Sequence, residues 1–465
     1  MDYNFARNQA VRDSYAKNVQ DFLDHYRAGA PTVVMLPGGM GSQLDRSPEA
    51  YHGSAMSFLD YTPVWLSPGV LFRGDALTLE MDGAGHDIRD FIIVPDGPLR
   101  FLVKAYDGTE KFFIDKGANY IVFGFDWRRP LEEGAVNLQS FLTSLRQAVF
   151  AQHHDNIVPK TILLCHSQGG LVAKMFLDIV QNNAGAWLDK VITVATPFYG
   201  TATHMQRYFV GEHMLNILHG ATRVARIVGT LPGPYTLLPI DRATWTKRQA
   251  ALGLTGQPYP VQDSSGVPVD PYDTGNLGAG RRYPAWVAAA SLDAARDIRG
   301  SIDIDLPAES LGRIFNLRAT TTDTPCYFRW DALPANFDPD RGPCPLQPLP
   351  QDATQRRGDG TVPYWSARLA QVGDDRVYDV PTTAAHQDLL ENRRTLEAVW
   401  TIIQNGTIAG FSPTEPDSSY SVEAPAAPAE VDQFLSDAAA KRVAPTDPRA
   451  HDPRLWRGVV RGMLR

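Results

Sequence analysis

Apolar and polar positions follow two patterns along the chain. The first 29 residues or so carry apolar side chains at three- and four-residue spacing, which predicts an amphipathic helix packed on the core: Val11, Tyr15, Val19, Phe22, Leu23 and Tyr26. Short apolar runs then predict buried strands at 32–36, 91–94, 120–125, 161–165, 191–195, 314–317 and 377–380. Because helical stripes separate several of these runs, the pattern predicts an α/β fold, a mostly parallel central sheet with helices on both faces.

Three segments depart from this alternation. Gly, Pro, Tyr and His are scattered over 201–311, which predicts an inserted cap, and 323–357 is a Pro-rich excursion. Pro, Ala, Ser and charged residues dominate 412–465, which predicts a loosely held C-terminal tail. The predicted organisation is an N-terminal helix at 1–30, a core in two parts at 31–200 and 312–411, the cap between them, and the tail.

Composition narrows the class of protein. Hydrophobic residues make up 43% of the 465 positions, which predicts a globular chain. The net charge of −8 and the lack of a dense basic run argue against a nucleic-acid partner. No apolar stretch is typical of a signal peptide or a membrane span, so the predicted compartment is the cytoplasm. Three cysteines exclude a disulfide framework but leave a single Cys326–Cys344 bond open. The oligomeric state is also open.

The strongest motif is TILLCHSQGG at 161–170, in which an apolar strand runs into Ser167 and then into a helical stripe. A serine at such a strand–turn–helix elbow has its hydroxyl lifted off the sheet, and the residues two before and two after it must be small. Cys165 and Gly169 meet that requirement by size, and Gly170 adds a further small residue. Ser167 is therefore the predicted nucleophile.

A serine nucleophile needs a base and an acid that orients the base, in the chain order Ser, acid, His. Of the eleven histidines, His386 lies in the predicted loop between the last strand and the last core helix, where a base can reach over the sheet edge. Asp359 lies between two glycines in GDGTVP at 358–363 and is the predicted acid. Asp352, Asp374 and Asp375 remain alternatives.

Acyl transfer also requires main-chain donors for the oxyanion. The N–H of Gln168 is the first predicted donor. Gly39 or Met40, in the glycine-rich turn after the first strand, is predicted to supply the second. No Gly-Lys-Ser/Thr follows this turn, so it is not a phosphate-binding loop. This chemistry requires no organic cofactor and no metal.

Five motifs, taken together, resemble the lecithin:cholesterol acyltransferase and lysosomal phospholipase group of α/β-hydrolases. They are LPGGMGSQL at 36–44, FDWR at 125–128, HSQGG at 166–170, ATPF at 195–198 and GDGTVP at 358–363. The resemblance implies an α/β-hydrolase fold with an inserted cap or lid. It also implies that Ser167, Asp359 and His386 are nucleophile, acid and base, with Gly39 and Gln168 as oxyanion donors.

The resemblance implies further roles. Asp126 and Arg128 would form a partly buried structural ion pair. The apolar segment at about 51–75 falls where the family carries a mobile, membrane-contacting lid, and Trp65 within it, together with Phe198, is a predicted substrate contact. The paired cysteines that brace the lid of secreted relatives are absent.

These features predict a serine esterase, of the lipase-type hydrolase or acyltransferase kind. The predicted partner is an ester with an apolar acyl chain, and transient contact with a membrane or lipid interface is expected. A small ester or a lactone is an alternative substrate, and the sequence leaves hydrolysis and acyl transfer open. A hydrolase-fold binding protein without turnover is a further alternative, although that class usually lacks one member of the triad.

Overall fold

The computed structural model describes most of the 465-residue chain. The described residues are 3–50, 62–63, 65, 79–82, 85–87, 91–99, 106–277, 280–351, 356–420, 425–443 and 447–463. Apart from Thr62, Pro63 and Trp65, the predicted lid segment at 51–75 lies outside these residues, and so does Asp352.

The strands build one large sheet and several small ones. Their bounds are β1 Thr32–Leu36, β2 Ser42–Ala50, β3 Thr62–Pro63, β4 Phe91–Pro98, β5 Asn119–Val122, β6 Thr161–His166, β7 Lys190–Val194, β8 Val261–Gln262, β9 Ile314–Ala319, β10 Thr322–Asp323, β11 Phe328–Trp330, β12 Leu346–Pro348, β13 Arg357–Gly358 and β14 Val377–Val380. Among the described residues, six strands form a parallel sheet in the order β14-β9-β7-β6-β1-β5. The predicted α/β fold is confirmed.

One predicted strand lies outside the central sheet. The run at 91–94 forms part of β4, which pairs antiparallel with β2 in a separate sheet. Ile92, Ile93 and Val94 are all fully buried, so the segment has the continuous apolar pattern of a parallel-sheet strand although it does not join the central sheet.

Alternation along β1 divides the core between the two faces of the central sheet. Val34 and Leu36 pack in the cluster that contains the helices Leu131–His153 and Gln168–Val180. Val33 and Met35 pack in the cluster on the other face, which includes the helix Arg393–Asn405. Because successive strand side chains point to opposite faces, every position of β1 is buried.

Helices cover the sheet and form much of the predicted cap. The α-helices of the described residues are Tyr3–Leu23, Asp107–Asp115, Leu131–His153, Gln168–Val180, Ala202–Met205, Arg207–Val210, His213–His219, Ala221–Thr230, Pro232–Tyr235, Arg242–Arg248, Ala289–Ile302, Ala308–Leu311, Arg393–Asn405, Pro428–Ala439 and Pro453–Met463. A 3₁₀-helix follows β14 at His386–Glu391. None of these described helices has the length and apolar character that a membrane span requires.

The predicted cap and the Pro-rich excursion pack together. β8, from the cap, pairs in parallel with β11 of the excursion, and β12 completes this small sheet. The ring of Phe209 stacks on Tyr283 and meets Trp330 edge-on, which joins the two segments through an aromatic core. Cys326 and Cys344 are free thiols.

The prediction of a loosely held tail was wrong. Within 412–465, the helices Pro428–Ala439 and Pro453–Met463 pack on each other and on the cap helix His213–His219. Phe434 and Trp456 are at most 1% exposed, and their rings meet edge-on at 5.5 Å. Val431, Phe434, Leu435 and Ala438 recur at helical spacing, a stripe that the Pro- and Ala-rich composition obscured.

Candidate active site

The turn between β6 and the helix Gln168–Val180 carries Ser167. Its backbone has φ 49° and ψ −124°, a conformation that L-residues rarely adopt. A Cβ on Gly169 would lie 2.5 Å from the carbonyl oxygens of Leu36 and Pro37, and one on Gly170 would lie 1.9 Å from Thr196 Oγ1. Small residues are therefore required here, because helix and strand approach too closely for any side chain.

Ser167, His386 and Asp359 form one hydrogen-bonded chain. His386 Nε2 lies 2.9 Å from Ser167 Oγ, and His386 Nδ1 lies 2.7 Å from Asp359 Oδ2. His386 is 5% exposed and Asp359 is 1% exposed. With Nδ1–H donating to the carboxylate, the Nε2 lone pair faces the serine hydroxyl and can accept its proton.

Asp359 is held in place through its second carboxylate oxygen. Asp359 Oδ1 accepts hydrogen bonds from the N–H groups of Thr361 at 3.0 Å and Val362 at 2.7 Å. The N–H of His386 donates to the main-chain oxygen of Asp359 at 2.9 Å. Backbone donors thus fix which carboxylate oxygen faces the imidazole.

A second buried network, which is not apparent from the sequence, supports His386. His166 Nε2 donates to the main-chain oxygen of His386 at 2.9 Å. His166 Nδ1 accepts from the hydroxyl of Tyr106 at 2.9 Å, and that hydroxyl accepts from the N–H of Gly38 at 3.0 Å. Burial, and then the nearby His386, lower the pKa of His166 to about 3, so it stays neutral. The network joins the glycine-rich turn after β1 to the main chain at His386.

The helix Asp107–Asp115 extends this support. The N–H of Gly108 donates to the Glu391 carboxyl at 3.2 Å, and the Thr109 hydroxyl donates to the main-chain oxygen of Leu390. Asp107 is in turn paired at 2.7 Å with Arg457 of the last helix. The position of His166 directly before Ser167 in the sequence could have indicated a role for it in the site. Tyr106 is 60 residues from His166 in the sequence, and no local motif marks it.

We expect Tyr106→Phe to lower kcat on a chromogenic ester about tenfold while KM changes less than twofold. The change leaves the Gly38 N–H and His166 Nδ1 without a partner, so His386 is held less well, and unfolding should become easier by about 1–3 kcal/mol. Steady-state kinetics and thermal unfolding measure both effects. Tyr378→Phe, in a half-buried side chain on β14, is the control. An unchanged kcat in Tyr106→Phe would contradict the supporting role.

The predicted oxyanion residues belong to the wall of one cavity. Gly39, Met40 and Gln168 line the same cavity as Ser167 and His386. Within the glycine-rich turn, the N–H of Gly38 is bound by Tyr106 and the N–H of Gly41 donates to Gly38 at 3.0 Å. Met40 adopts a positive φ of 65°. Gly39 and Met40 both remain predicted donors.

The cavity beside Ser167 has mainly apolar walls. Trp65 and Trp127 lie on the wall and meet edge-on, with ring centroids 5.1 Å apart. The indole N–H of Trp65 donates to the Met40 carbonyl at 2.8 Å, so this side chain also braces the glycine-rich turn. Phe198 requires a correction, because it is 1% exposed in the core and its neighbour Pro197 lines the cavity instead.

Asp126 and Arg128 lie away from the cavity wall. Arg128 is fully buried, and it binds Asp126 through Nε at 2.9 Å and Nη2 at 2.8 Å. It also pairs with Asp87 at 2.9 Å. Burial acts to raise the pKa of Asp126, but Arg128, Arg7 and Arg129 together hold it below its usual range. The pair is more deeply buried than the resemblance implied, and it joins the segment around Asp87 to the loop after β5.

No group of three or more His, Cys, Asp or Glu side chains in the described part of the chain is arranged to hold a metal ion.

The parallel sheet and the serine elbow at the end of its β6 strand define the chain as an α/β-hydrolase fold. The sequence model of the lecithin:cholesterol acyltransferase family matches residues 99–255, which confirms the resemblance to that family. No curated protein matches the sequence significantly.

A solved structure of low sequence identity has a similar fold. The crystal structure of the Tle4–Tli4 complex aligns with a TM-score of 0.50 at 15% identity, over 81% of this chain and 99% of that chain. The mature form of Bacillus licheniformis lipase BlEst2 aligns with a TM-score of 0.34 at 14% identity, over 64% of this chain and 83% of that chain.

Proposed function

We propose that the protein is a serine carboxylic-ester hydrolase or O-acyltransferase, and that its substrate is a lipid-like ester with an apolar acyl chain. The proposal is carried by the hydrogen-bonded chain from Asp359 through His386 to Ser167 at the wall of an apolar cavity. The match to the lecithin:cholesterol acyltransferase family supports the same chemistry.

In the first half-reaction, Ser167 Oγ attacks the ester carbonyl while His386 Nε2 takes the hydroxyl proton. The negative charge that develops on the carbonyl oxygen is bound by the N–H of Gln168 and by that of Gly39 or Met40. As the tetrahedral intermediate collapses, the C–O bond to the alcohol breaks and His386 returns the proton to the departing oxygen. The product is an acyl-enzyme on Ser167 and a free alcohol.

In the second half-reaction, water or an acceptor alcohol attacks the acyl-enzyme. His386 takes the proton of the attacking oxygen and passes it to Ser167 Oγ as the ester bond breaks. Water gives a carboxylic acid, and an alcohol gives a new ester. The two outcomes share every residue of the site, so access of water to His386 decides between them.

We expect kcat/KM to rise about three- to fourfold for each methylene added to the acyl chain until the cavity is full, because each buried methylene contributes about 0.8 kcal/mol. A panel of 4-nitrophenyl esters of increasing chain length measures this rise. Highest activity on acetyl esters would instead favour the alternative of a small-ester esterase.

Two further arms of the panel test transfer and interface contact. A new ester formed in the presence of a short alcohol identifies acyl transfer, and its absence identifies a hydrolase. A rate that rises when the ester is presented in phospholipid vesicles supports contact with a lipid interface. An equal rate in vesicles and in detergent argues against that contact.

A further inference from the structure

The wall of the cavity is apolar for the most part, but one short helix of the cap brings polar side chains to it. Thr203 and His204, in the helix Ala202–Met205, line the cavity together with Arg207 from the next helix. Polar groups on an apolar wall fix the orientation of a ligand when they lack partners within the protein. Any donor or acceptor of these residues that has no partner within the protein could therefore bind a polar group of the ligand.

The tautomer of His204 follows from its neighbour. Arg207 Nη1 lies 3.2 Å from His204 Nδ1, and a guanidinium can only donate, so Nδ1 is an acceptor and the ring proton resides on Nε2. Burial, and then the charge of Arg207, hold the pKa of His204 well below its usual value. The ring is thus neutral and presents a single N–H donor at Nε2.

That donor is unsatisfied within the protein. His204 Nε2 and Thr203 Oγ1 are both buried, and neither has a hydrogen-bond partner among the described residues. A buried polar group without a partner costs free energy, and native structures rarely retain one without a reason. Both residues line the cavity, which places their side chains next to any ligand that occupies it.

The same helix is fixed relative to the proposed triad. The hydroxyl of Thr201 caps the helix by accepting from the N–H of Thr203 at 3.3 Å, and it donates to the carbonyl of Thr361 at 2.7 Å. Thr361 in turn binds Asp359 through its N–H. These contacts fix the position of His204 relative to Ser167 and His386. A ligand group bound at His204 would therefore lie at a defined distance from the proposed nucleophile.

We propose that Thr203 and His204 form a hydrogen-bonding subsite for a second oxygen acceptor of the ester substrate, separate from the scissile carbonyl. The subsite rests on the proposed function. It takes a neutral oxygen, such as a hydroxyl, a ketone or a further ester carbonyl, because its two donors, an imidazole and a hydroxyl, are both uncharged. Esters that carry such an oxygen are preferred to plain alkyl esters of the same length.

The test compares chain-matched ester pairs, one plain and one with an added hydroxyl or keto oxygen on the acyl or the alcohol side. We expect His204→Leu to reduce the preference for the oxygenated ester about tenfold, and Thr203→Val to reduce it about threefold. His204→Gln, which keeps a donor at similar reach, should retain part of the preference. His213→Leu, in an exposed cap residue away from the cavity wall, is the matched control.

Labelling of Ser167 by a fluorophosphonate, measured on each variant, separates the possible failures. Normal labelling with an unchanged ester preference in both His204→Leu and Thr203→Val overturns the subsite alone. Equal losses on plain and oxygenated esters also overturn it. Absence of labelling in the unaltered protein overturns the proposed function, and the subsite falls with it. Thr203→Val keeps the test valid if His204→Leu does not fold.

Discussion

Ser167→Ala should lower kcat/KM by about 10⁶-fold and abolish labelling by a fluorophosphonate. Removal of a triad nucleophile has an effect of this size because proton transfer by the base then has no attacking group to activate. Alanine can occupy the elbow at the same backbone cost as serine, so the fold should be retained. Activity on the best ester of the panel and gel-based detection of the probe measure the two effects.

The control for this variant is Ser140→Ala, on an exposed position of the helix Leu131–His153. Its activity and labelling should match those of the unaltered protein. Labelling of Ser167→Ala at the normal rate would contradict the assignment of the nucleophile. Stoichiometric labelling of the unaltered protein without turnover of any ester would favour the alternative of a hydrolase-fold binding protein.

Asp359→Asn should lower kcat by about 10⁴-fold with little change in KM. The two backbone N–H groups of Thr361 and Val362 fix an oxygen at the Oδ1 position, so the amide NH₂ of the asparagine would face His386. His386 Nδ1 would then have to accept, which moves the ring proton to Nε2. In that tautomer, Nε2 cannot take the proton of Ser167.

The alternative acids from the sequence provide matched controls. Asp374→Asn and Asp375→Asn change exposed carboxylates in the short 3₁₀-helix before β14, and both variants should keep normal activity. Circular dichroism and thermal unfolding establish that Asp359→Asn is folded. A loss of activity in Asp374→Asn or Asp375→Asn that matches the loss in Asp359→Asn would contradict the choice of acid.

The sequence predicted the central sheet well because its signal is local. Five of the six central strands are short, mostly buried apolar runs, whereas β14 at the sheet edge is buried only at Val380. The serine elbow is recognisable because steric limits require small residues within a few positions of Ser167. The proximity of Ser167, Asp359 and His386 was expected from chain order and from the place where loops leave a parallel sheet. Their catalytic roles remain predictions.

Features that depend on contacts between residues far apart in the sequence could not be predicted in this way. The bond of Tyr106 to His166 and the placement of β4 in a separate sheet arise from tertiary packing and leave no pattern in either segment. The composition of the C-terminal segment led to the wrong prediction of a loosely held tail. Its Pro and Ala content drew attention away from the apolar residues around Phe434, which are buried at helical spacing. Phe198 was chosen from its motif, which does not specify which way a side chain points.

The order of the elements along the chain has a consequence for protein synthesis. Ser167 and its hydrogen-bond partner His386 are 219 residues apart, so a growing polypeptide on the ribosome carries the elbow for many seconds before the imidazole exists. Arg457 is translated later still. It pairs with Asp107, at the start of the helix that contacts the 3₁₀-helix His386–Glu391. The hydrogen bond from His386 to Ser167 therefore requires synthesis past residue 386, and the ion pair at Asp107 requires synthesis past residue 457.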